Sequence, residues 1–279
     1  MSRHRVAFSF SRIITIAVLL LFLVISVAPF LLVWSAAFKT KADLVTNVLG
    51  PPKTFHFENI RKAWIQGRFG TYYKNSILVV VPVVAGTILL SLANAYAFAY
   101  FRIPAKELLF GIILLGMTIP MEVVIIQLYY HLLNLGLLNT LKGLVLAQIG
   151  MGIPFGTFFL RGTLKEIPRS LIDAAEIDGA GTFAILTRIL IPMSGSAIMT
   201  LIVFFFTWTW NEFLLTLVVI HSDSLRTLPV GMAFFQGKYT GDTPLIAMGA
   251  ALMTLPIIIL YIVLQKYVIS GITAGALKE

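Results

Sequence analysis

The chain has 279 residues, of which 58% are hydrophobic and 12% are charged, whereas an average soluble domain has about 25% charged residues. This composition excludes an ordinary soluble protein and predicts an all-α integral membrane protein. The formal net charge is +9, and the sequence contains no cysteine, which excludes disulfide bonds and thiolate metal sites.

Six stretches are apolar over lengths that can cross a hydrocarbon core, for which a helix needs roughly 20 residues. We therefore predict six transmembrane helices within a membrane domain at 13–269. An N-terminal segment at 1–12 and a C-terminal tail at 270–279 flank this domain. The predicted spans are 13–38, 75–101, 108–130, 141–160, 197–220 and 245–268.

The first span follows a basic N-terminal segment, a pattern that is also typical of secretory signals. Its apolar run is longer than the roughly 7 to 15 residues of a signal peptide, so we expect it to remain as an anchor. A polar loop at 39–74 comes next. In this loop Phe57, Ile60 and Trp64 recur at helical spacing, which predicts a short helix with an apolar face.

Proline occurs inside five of the six spans, where it removes a backbone hydrogen bond and predicts a kink. The fourth span also carries Gly152 and Gly156, whose spacing indicates close packing against another helix. The five prolines are Pro29, Pro82, Pro120, Pro154 and Pro256.

Two carboxylates, Glu122 and Glu212, lie inside apolar spans. An ionisable group at membrane depth is costly unless it faces a cavity or a partner, so a functional role is the first hypothesis. The alternative, that they tie one helix to another, stays open. Hydrogen-bonding groups beside an aromatic ring face suit a sugar, and Gln148 adds a further amide. The candidate residues of a translocation pathway are Asn94, Glu122, Gln127, Trp208, Trp210, Asn211 and Glu212.

A polar, helix-forming segment interrupts the apolar sequence at 161–195. Ser170 and Asp173 have the spacing of a capping box, which predicts that a short helix begins at Ser170. Gly179 supplies the left-handed position that ends this helix, and Thr182 is expected to cap a second one. We therefore expect two short helices at an angle that project from the membrane and dock a partner. An ordinary ordered loop is the alternative.

The distribution of basic residues favours a cytoplasmic position for both termini and for the 161–195 segment. With the N-terminus inside, 11 of the 21 lysines and arginines are cytoplasmic, and seven of the others lie in the 39–74 loop. Without that loop the comparison is 11 against 3. The positive net charge therefore reflects membrane topology rather than nucleic-acid binding.

The sequence carries no motif for catalysis or cofactor binding. It has no P-loop, nucleophile elbow or dinucleotide fingerprint. Its four histidines lie on separate segments, which disfavours a metal site. We expect a chain that is not an enzyme and binds no cofactor, so that any ATP hydrolysis takes place on another polypeptide.

The segment around Asp173 resembles the EAA loop of ABC importer permeases, whose core is Glu-Ala-Ala, two residues, Asp-Gly-Ala and a later proline. Asp173 stands in place of the usual glutamate. Further motifs at 129–140, 210–213, 227–231 and 265–278 are similar, in the same order, to MalG-type permease subunits of carbohydrate ABC importers. The matching positions of the loop are Ala174, Ala175, Asp178, Gly179, Ala180 and Pro192.

This resemblance implies a type I ABC importer permease fold and a role in carbohydrate uptake. The implied partners are a homologous, MalF-like permease, two P-loop ATPase subunits that bind ATP and Mg²⁺, and an extracytoplasmic sugar-binding protein. The 39–74 loop would help to receive the binding protein. The EAA-like loop would dock on the ATPase, with Ile172 among its apolar contacts, and the tail at 270–279 would reach it too. The implied docking residues are Asp173, Ala174, Ala175, Glu176, Ile177, Asp178, Gly179, Ala180, Phe183 and Pro192.

We therefore expect a multi-pass subunit of a bacterial or archaeal cytoplasmic membrane, embedded in the lipid bilayer. Two alternatives remain. One is a proton- or ion-coupled secondary transporter that uses Glu122 and Glu212, and the other is a membrane scaffold without transport activity. The predicted docking segment favours the importer over both.

Overall fold

The structure, a computed structural model, describes residues 10–276. Residues 1–9 and 277–279, which hold most of the predicted N-terminal segment and the end of the predicted tail, lie outside the described residues. The described part contains helices and loops but no β-strand, which confirms the all-α prediction. Its α-helices are α1 (Phe10–Ala37), α2 (Lys41–Thr46), α3 (Glu58–Gln66), α4 (Phe69–Tyr100), α5 (Lys106–Thr118), α6 (Met121–Asn134), α7 (Leu141–Lys165), α8 (Arg169–Ile177), α9 (Thr182–Ile185), α10 (Ile191–Met193), α11 (Gly195–Trp210), α12 (Leu214–Val219), α13 (Leu228–Lys238) and α14 (Thr243–Ala276).

Four helices, α1, α4, α7 and α14, are long and apolar enough to cross a membrane by themselves. Two bent pairs supply the remaining candidates. These are α5 with α6, bent by 98°, and residues 182–193 with α11, bent by 79°. Counting each bent pair as one candidate gives up to six spans by length and composition, the predicted number, although 182–193 belongs to the predicted polar segment and not to the fifth predicted span.

The bend between α5 and α6 lies at Pro120, inside the third predicted span. Ile119 and Pro120 are both extended, with ψ of 117° and 140°. Ile119 is extended because a residue before proline is disfavoured in a helix. The other four span prolines lie within continuous helices. The same sequence signal therefore breaks one predicted span and leaves four helices unbroken.

The fifth predicted span, 197–220, is not a single helix, because α11 ends at Trp210 and α12 begins only at Leu214. Asn211 closes α11. Its side-chain amide and its backbone N–H both donate to the carbonyl of Thr207, at 2.9 and 3.2 Å. A polar side chain that bonds the backbone in this way competes with the regular hydrogen bonds of a helix.

The chain forms two compact units, one from residues 10–67 with 234–253 and the other from 68–233 with 254–276. In the second unit, α4 and α7 pack closely through small residues. A Cβ atom at Gly152 would lie 2.7 Å from Cγ2 of Thr87, and one at Gly156 would lie 2.8 Å from Cβ of Ser91. Larger side chains would not fit, which confirms the close packing predicted from the glycine spacing.

Two buried apolar clusters stabilise this second unit. One joins the ends of α4 and α7 to α8, α9 and α11, and includes Leu164, Ile172, Ile185, Leu190 and Leu201. The other joins α4, α6, α7 and α12, and includes Val79, Val83, Leu144, Leu215 and Val219. The segment between α7 and α11 is thus anchored by its own apolar side chains.

In the first unit, a buried lysine fixes the residues that follow α1. Lys39 has 0% exposure, and its ammonium donates to the carbonyl of Asn47 at 2.6 Å. Asn59 on α3 donates to the carbonyls of Ala37 and Lys39, at 2.9 and 3.1 Å. These bonds tie α3, the short helix predicted within the 39–74 loop, to the end of α1.

Candidate functional site

The 169–193 segment contains the predicted docking residues, and its first helix, α8, begins at Arg169 rather than Ser170. The predicted capping box is wrong. Asp173 is the fifth residue of α8, beyond the N3 position that a capping box uses, and its carboxylate lies 3.7 Å from the Arg169 guanidinium. Pro168 occupies the N-cap, where its missing N–H needs no partner.

Gly179 ends α8 in the predicted way, with a left-handed φ of +79°. The N–H of Ala180 donates to the carbonyl of Ala175 at 2.9 Å, and the N–H of Gly179 donates to that of Glu176 at 3.0 Å. A bond spanning five residues around a left-handed glycine is the mark of a Schellman motif. It turns the chain sharply towards α9.

The second helix of the segment has an irregular course. Gly181 is its N-cap and Thr182 its first helical residue, so the predicted Thr182 cap is wrong. A π-helical turn at Leu186–Leu190 separates α9 from α10. Pro192 lies in α10 and lacks the N–H that would bond the carbonyl of Arg188. The N–H of Ile191 instead reaches back five residues to Leu186.

The 169–193 segment has a buried inner face and an exposed outer face. Ile172 is 3% exposed and Ile185 is 1% exposed, so the predicted contact of Ile172 with a partner is wrong: with a period of 3.6 residues it falls on the inner face. Ala175 and Ala180 are half-buried against the same cluster. In contrast, Ile177 and Phe183 are 86% and 78% exposed.

Three exposed carboxylates lie close in sequence to Ile177, on Asp173, Glu176 and Asp178. Two of them lie at the C-terminal end of α8, where the helix dipole disfavours negative charge. Their position therefore adds nothing to the stability of the helix. The outer face of the segment thus exposes two large apolar side chains and three carboxylates.

A cavity of about 130 Å³ lies between α4, α7, α11 and α12. Three of its polar lining residues are Gln148, Thr209 and Glu212, and Trp208 and Phe155 supply aromatic walls. The Nε2 atom of Gln148 is buried and has no hydrogen-bond partner among the described residues. Two predicted pathway residues, Trp208 and Glu212, are thus brought together.

Glu122 and Gln127 lie nearby on α6 but are exposed. Gln127 lines a second, open groove of about 500 Å³ together with His131. Met151 borders both the cavity and the groove, so the polar groups of α6, α7 and α11 share one side of the second unit.

The remaining predicted pathway residues do not line the cavity. Trp210 is 1% exposed and stacks on Phe206, with 5.4 Å between the ring centroids. Asn211 is exposed at the end of α11. Asn94 is half-buried on α4, away from the residues that line the cavity. The sequence could not separate Trp208 from Trp210, because both lie in an equally apolar stretch.

A loop at 220–228 is held by polar side chains for which no sequence motif predicts this role. Asn75 donates to the carbonyls of Ser224 and Arg226, both at 2.9 Å. Asn139 accepts from the backbone N–H groups of His221 and Ser222, both at 3.0 Å. Asn75 lies at the start of one predicted span and Asn139 just before the start of another. An asparagine at the end of an apolar stretch, although not a motif, is the sequence signal for this role.

A second contact involves Asp223, which holds the same loop through its carboxylate. It accepts from the hydroxyl of Tyr72 at 2.8 Å and from Arg226 at 2.7 Å, and it also pairs with Arg68. Together with Asn75 and Asn139, this carboxylate leaves the 220–228 loop fixed to α4 and to the start of α7.

In the first unit, the residues around α3 form an exposed aromatic surface. The rings of Phe38, Phe55 and Phe57 lie 5.4 to 6.0 Å apart, and Phe57 is 65% exposed. Within α3, Lys62 donates to Glu58 at 2.8 Å and so holds the pKa of Glu58 below its ordinary value.

Comparison with known proteins gives a consistent result. Residues 88–273 match the family described as binding-protein-dependent transport system inner membrane component. The chain is 31% identical over 264 residues to the diacetylchitobiose uptake system permease protein NgcG of Streptomyces coelicolor, with coverage of 94% of this chain and 87% of that protein. It is 32% identical over 253 residues to a probable starch degradation products transport system permease protein, AmyC, of Thermoanaerobacterium thermosulfurigenes, with coverage of 91% and 92%.

Among solved structures, one is of a bacterial ABC transporter involved in the import of the acidic polysaccharide alginate. The TM-score is 0.80 at 22% identity, with coverage of 96% of this chain and 99% of that chain. This likeness establishes the fold, and the family match extends over most of the spans. The chain therefore belongs to the inner-membrane components of binding-protein-dependent transport systems, the permease subunits of ABC transporters.

Proposed function

We propose that the chain is the permease subunit of an ATP-driven importer for sugars or oligosaccharides. It pairs with a homologous, MalF-like permease, with two P-loop ATPase subunits and with an extracytoplasmic sugar-binding protein. The two relatives described above, which are named as permeases for diacetylchitobiose and for starch degradation products, support this substrate class.

The observation that carries the proposal is the outer face of the 169–193 segment. Ile177 and Phe183 expose most of their surface in the isolated chain. Burying each side chain against a partner would contribute about 1.5–3 kcal/mol to the free energy of binding. The carboxylates of Asp173, Glu176 and Asp178 would pair with basic or amide groups of the partner. A groove with an apolar floor and a basic rim, on a partner outside the membrane, fits this face.

The inner face of the same segment gives the docked partner a mechanical connection to the membrane helices. Ile172 and Ile185 pack in one cluster with Leu164 of α7 and Leu201 of α11. A displacement of the segment therefore moves α11, which carries Trp208. ATP binding and hydrolysis on the ATPase subunits, with Mg²⁺ bound there, would drive alternating access by this route.

The exposed aromatic surface around α3 is the proposed contact for the binding protein. Phe57 and Trp64 present apolar surface on a short helix that Lys39 and Asn59 hold in place. A fixed helix of this kind loses little conformational entropy when it binds.

The proposed location is the cytoplasmic membrane of a bacterium or archaeon, with both termini and the 169–193 segment in the cytoplasm. Outside the 39–74 loop, the excess of basic residues on that side, 11 against 3, supports this orientation. The surface around α3 and the 220–228 loop would then face outwards.

Cross-linking tests the docking directly. Because the chain has no cysteine, Ile177→Cys introduces a single reactive thiol. We expect it to cross-link to a cysteine placed in the ATPase groove, while Trp64→Cys, the matched control on α3, does not. Cross-linking from Trp64 and none from Ile177 would mean that the orientation is inverted.

Uptake in sealed vesicles tests the energy source. Sugar uptake should require ATP on the ATPase side and persist when an uncoupler removes the proton gradient. Uptake that collapses with the uncoupler and ignores ATP would favour the secondary transporter that uses Glu122 and Glu212.

A further inference from the structure

The end of α4, the start of α5 and the end of α7 meet in the second unit and bring several basic side chains together. Arg161, near the end of α7, is 6% exposed, and its Nε donates to the carbonyl of Phe98 at 3.4 Å. Its guanidinium carbon lies 3.9 Å from the centroid of the Phe110 ring. It also pairs with the carboxylate of Glu107 on α5. The charge of Arg161 is therefore compensated within the chain.

Lys106, the first residue of α5, holds the end of α4. Its ammonium donates to the carbonyls of Phe101 and Ala99, at 3.1 and 3.3 Å. An ammonium has three donors, so one remains for another acceptor. Among residues 10–276, no carboxylate lies within ion-pair distance of Lys106. The bonds to the backbone thus fix this charge in place without compensating it.

The packing of α5 against α7 brings Lys165 level with the first residue of α5. The two helices run antiparallel. Phe110 lies against Arg161. Further along the pair, a Cβ atom at Gly116 would lie 3.0 Å from Cγ of Pro154. Both helices rise about 1.5 Å per residue, so a step of four residues beyond the first contact reaches the start of α5 and Lys165. Lys165 also shares the face of α7 that Arg161 presents to α5.

Two further cations are exposed at this point, on Arg102 and Lys165. In the described part of the chain, neither has a carboxylate within ion-pair distance. Arg102 lies in the short connection between α4 and α5. We call Arg102, Lys106 and Lys165 the basic cluster. Glu107 is engaged by Arg161, and the exposed carboxylate of Glu166 offsets only part of the charge, so the basic cluster stays net positive.

An exposed face of α7 leads from the basic cluster into the membrane. Phe158, Gly162 and Lys165 follow one another at intervals of four and three residues, which puts them on one face of the helix. Phe158 is 49% exposed, and a Cβ atom at Gly162 would meet no other atom within 4 Å. By itself α7 is long and apolar enough to cross a membrane, and Lys165 is its last residue. The ammonium of Lys165 therefore lies at the membrane boundary, with an exposed aromatic ring two turns further in.

We propose that the basic cluster binds the phosphate of one anionic phospholipid. Lys106 and Lys165 donate to the phosphate oxygens, and Arg102 supplies further positive charge. An acyl chain lies along Phe158 and occupies the open space at Gly162. This inference goes beyond the proposed function, because it concerns a lipid of the surrounding bilayer rather than the transported solute.

Charge and position together select this ligand. A soluble phosphate would satisfy the ammonium groups but leave the exposed ring of Phe158 uncovered. A zwitterionic lipid would cover the ring but bring its own cation to the basic cluster. An anionic phospholipid satisfies both parts of the site, and clusters of lysine and arginine beside a membrane helix attract such lipids.

Native mass spectrometry of the full chain in a neutral detergent tests the site. The probes are dioleoylphosphatidylglycerol, which is anionic, and dioleoylphosphatidylcholine, which has the same acyl chains but no net charge. We expect the chain to bind one molecule of the anionic lipid about tenfold more tightly than the zwitterionic one. Lys165→Gln should reduce this preference about fivefold, the effect of one charge near a membrane surface.

The matched control is Lys142→Gln, which removes an exposed lysine from the opposite end of α7 and should keep the preference. Because the Lys165 side chain makes no ion pair among the described residues, its replacement leaves the fold intact. Equal affinity for the two lipids, or an equal loss in both variants, would overturn the proposal. Displacement of the lipid by inorganic phosphate would also overturn it, because it would show a plain phosphate site that needs no acyl chain.

Contact of the basic cluster with an acidic surface of another subunit would give a different result. Lys165→Gln would then leave the lipid preference unchanged and lower the amount of ATPase subunit that co-purifies with the chain. This outcome overturns the lipid site as well. Since lipid binding is measured on the chain alone, the result does not depend on whether the chain transports sugars.

Discussion

The segments on either side of the α11–α12 pair are held in opposite ways. The 169–193 segment, which precedes α11, is anchored by apolar side chains such as Ile172 and Ile185, and leaves Ile177 exposed. The 220–228 loop, which follows α12, is anchored by polar side chains, with Asn75 and Asp223 bonded to its backbone and to neighbouring side chains.

This difference distinguishes the proposed partner-binding surface of the 169–193 segment from the 220–228 loop, which holds the fold together. In the 220–228 loop, the carboxylate of Asp223 and the carbonyls of Ser224 and Arg226 are already paired within the chain, so they serve to fix the loop. The large apolar side chains on the outer face of the 169–193 segment have no such role, and an exposed apolar patch of this kind marks a contact with a partner. The exposed apolar residues, rather than the polar ones, therefore support the proposed coupling function.

The largest expected effect comes from Gly179→Val. At a φ of +79° a β-branched side chain strains the turn by roughly 1–2 kcal/mol or more, and the angle between α8 and α9 must change. We expect ATP-coupled uptake to fall to background while membrane insertion is retained. The matched control is Gly181→Ala, at a φ of −74° with open space around its Cα, which should transport normally. Equal behaviour of the two variants would contradict the role of the bend.

Next in size is a pair of isoleucine variants. Ile177→Ser should lower ATP-coupled uptake about tenfold, equivalent to roughly 1.4 kcal/mol of lost docking energy, with an unchanged melting temperature. Ile172→Ser, on the buried face, should instead destabilise the chain by about 2–4 kcal/mol. Uptake assays and thermal unfolding distinguish them, and a loss of stability for Ile177→Ser would place that side chain in the framework.

A smaller effect on stability is expected from Asn75→Ala. Asn75 is 5% exposed, and its loss leaves the carbonyls of Ser224 and Arg226 without their donor, a cost of about 1–3 kcal/mol. Thermal unfolding measures it, with Asn134→Ala, at an exposed position on α6, as the control. If the two variants unfold alike, the 220–228 loop is not held by these bonds.

The smallest expected effect comes from Arg169→Gln. Its ion pair with Asp173 is exposed and 3.7 Å long, and such pairs contribute about 0–1 kcal/mol. Uptake should stay within twofold of the native value. The variant should lose no stability detectable by thermal unfolding. A strong loss of uptake would show that Arg169 itself contacts the partner.

The features that the sequence predicted depend on local chemistry. A left-handed glycine at Gly179, a short helix around Ile60 and close packing at Gly152 each follow from one residue type or from a short repeat. The all-helical class follows from composition in the same way, since a lipid environment leaves few other ways to pair the backbone.

The features that could not be predicted from the sequence depend on contacts between distant residues. Pro120 and Pro154 carry the same local signal, but only the first lies at a break. Trp208 and Trp210 are two residues apart in one helix, and the packing of Phe206 and Tyr73 decides that Trp210 is the buried one. The start of α8 depends on Pro168, which the capping pattern ignores.

The exposed position of Glu122 affects how long the chain survives before assembly. This carboxylate lies in a bent helix pair whose combined length and composition match one span, and an uncompensated charge at membrane depth costs roughly 3 kcal/mol. An unassembled copy must therefore pay that free energy by thinning the bilayer or by drawing in water. Cellular quality control would recognise such copies, so the abundance of this chain should follow the supply of its partner.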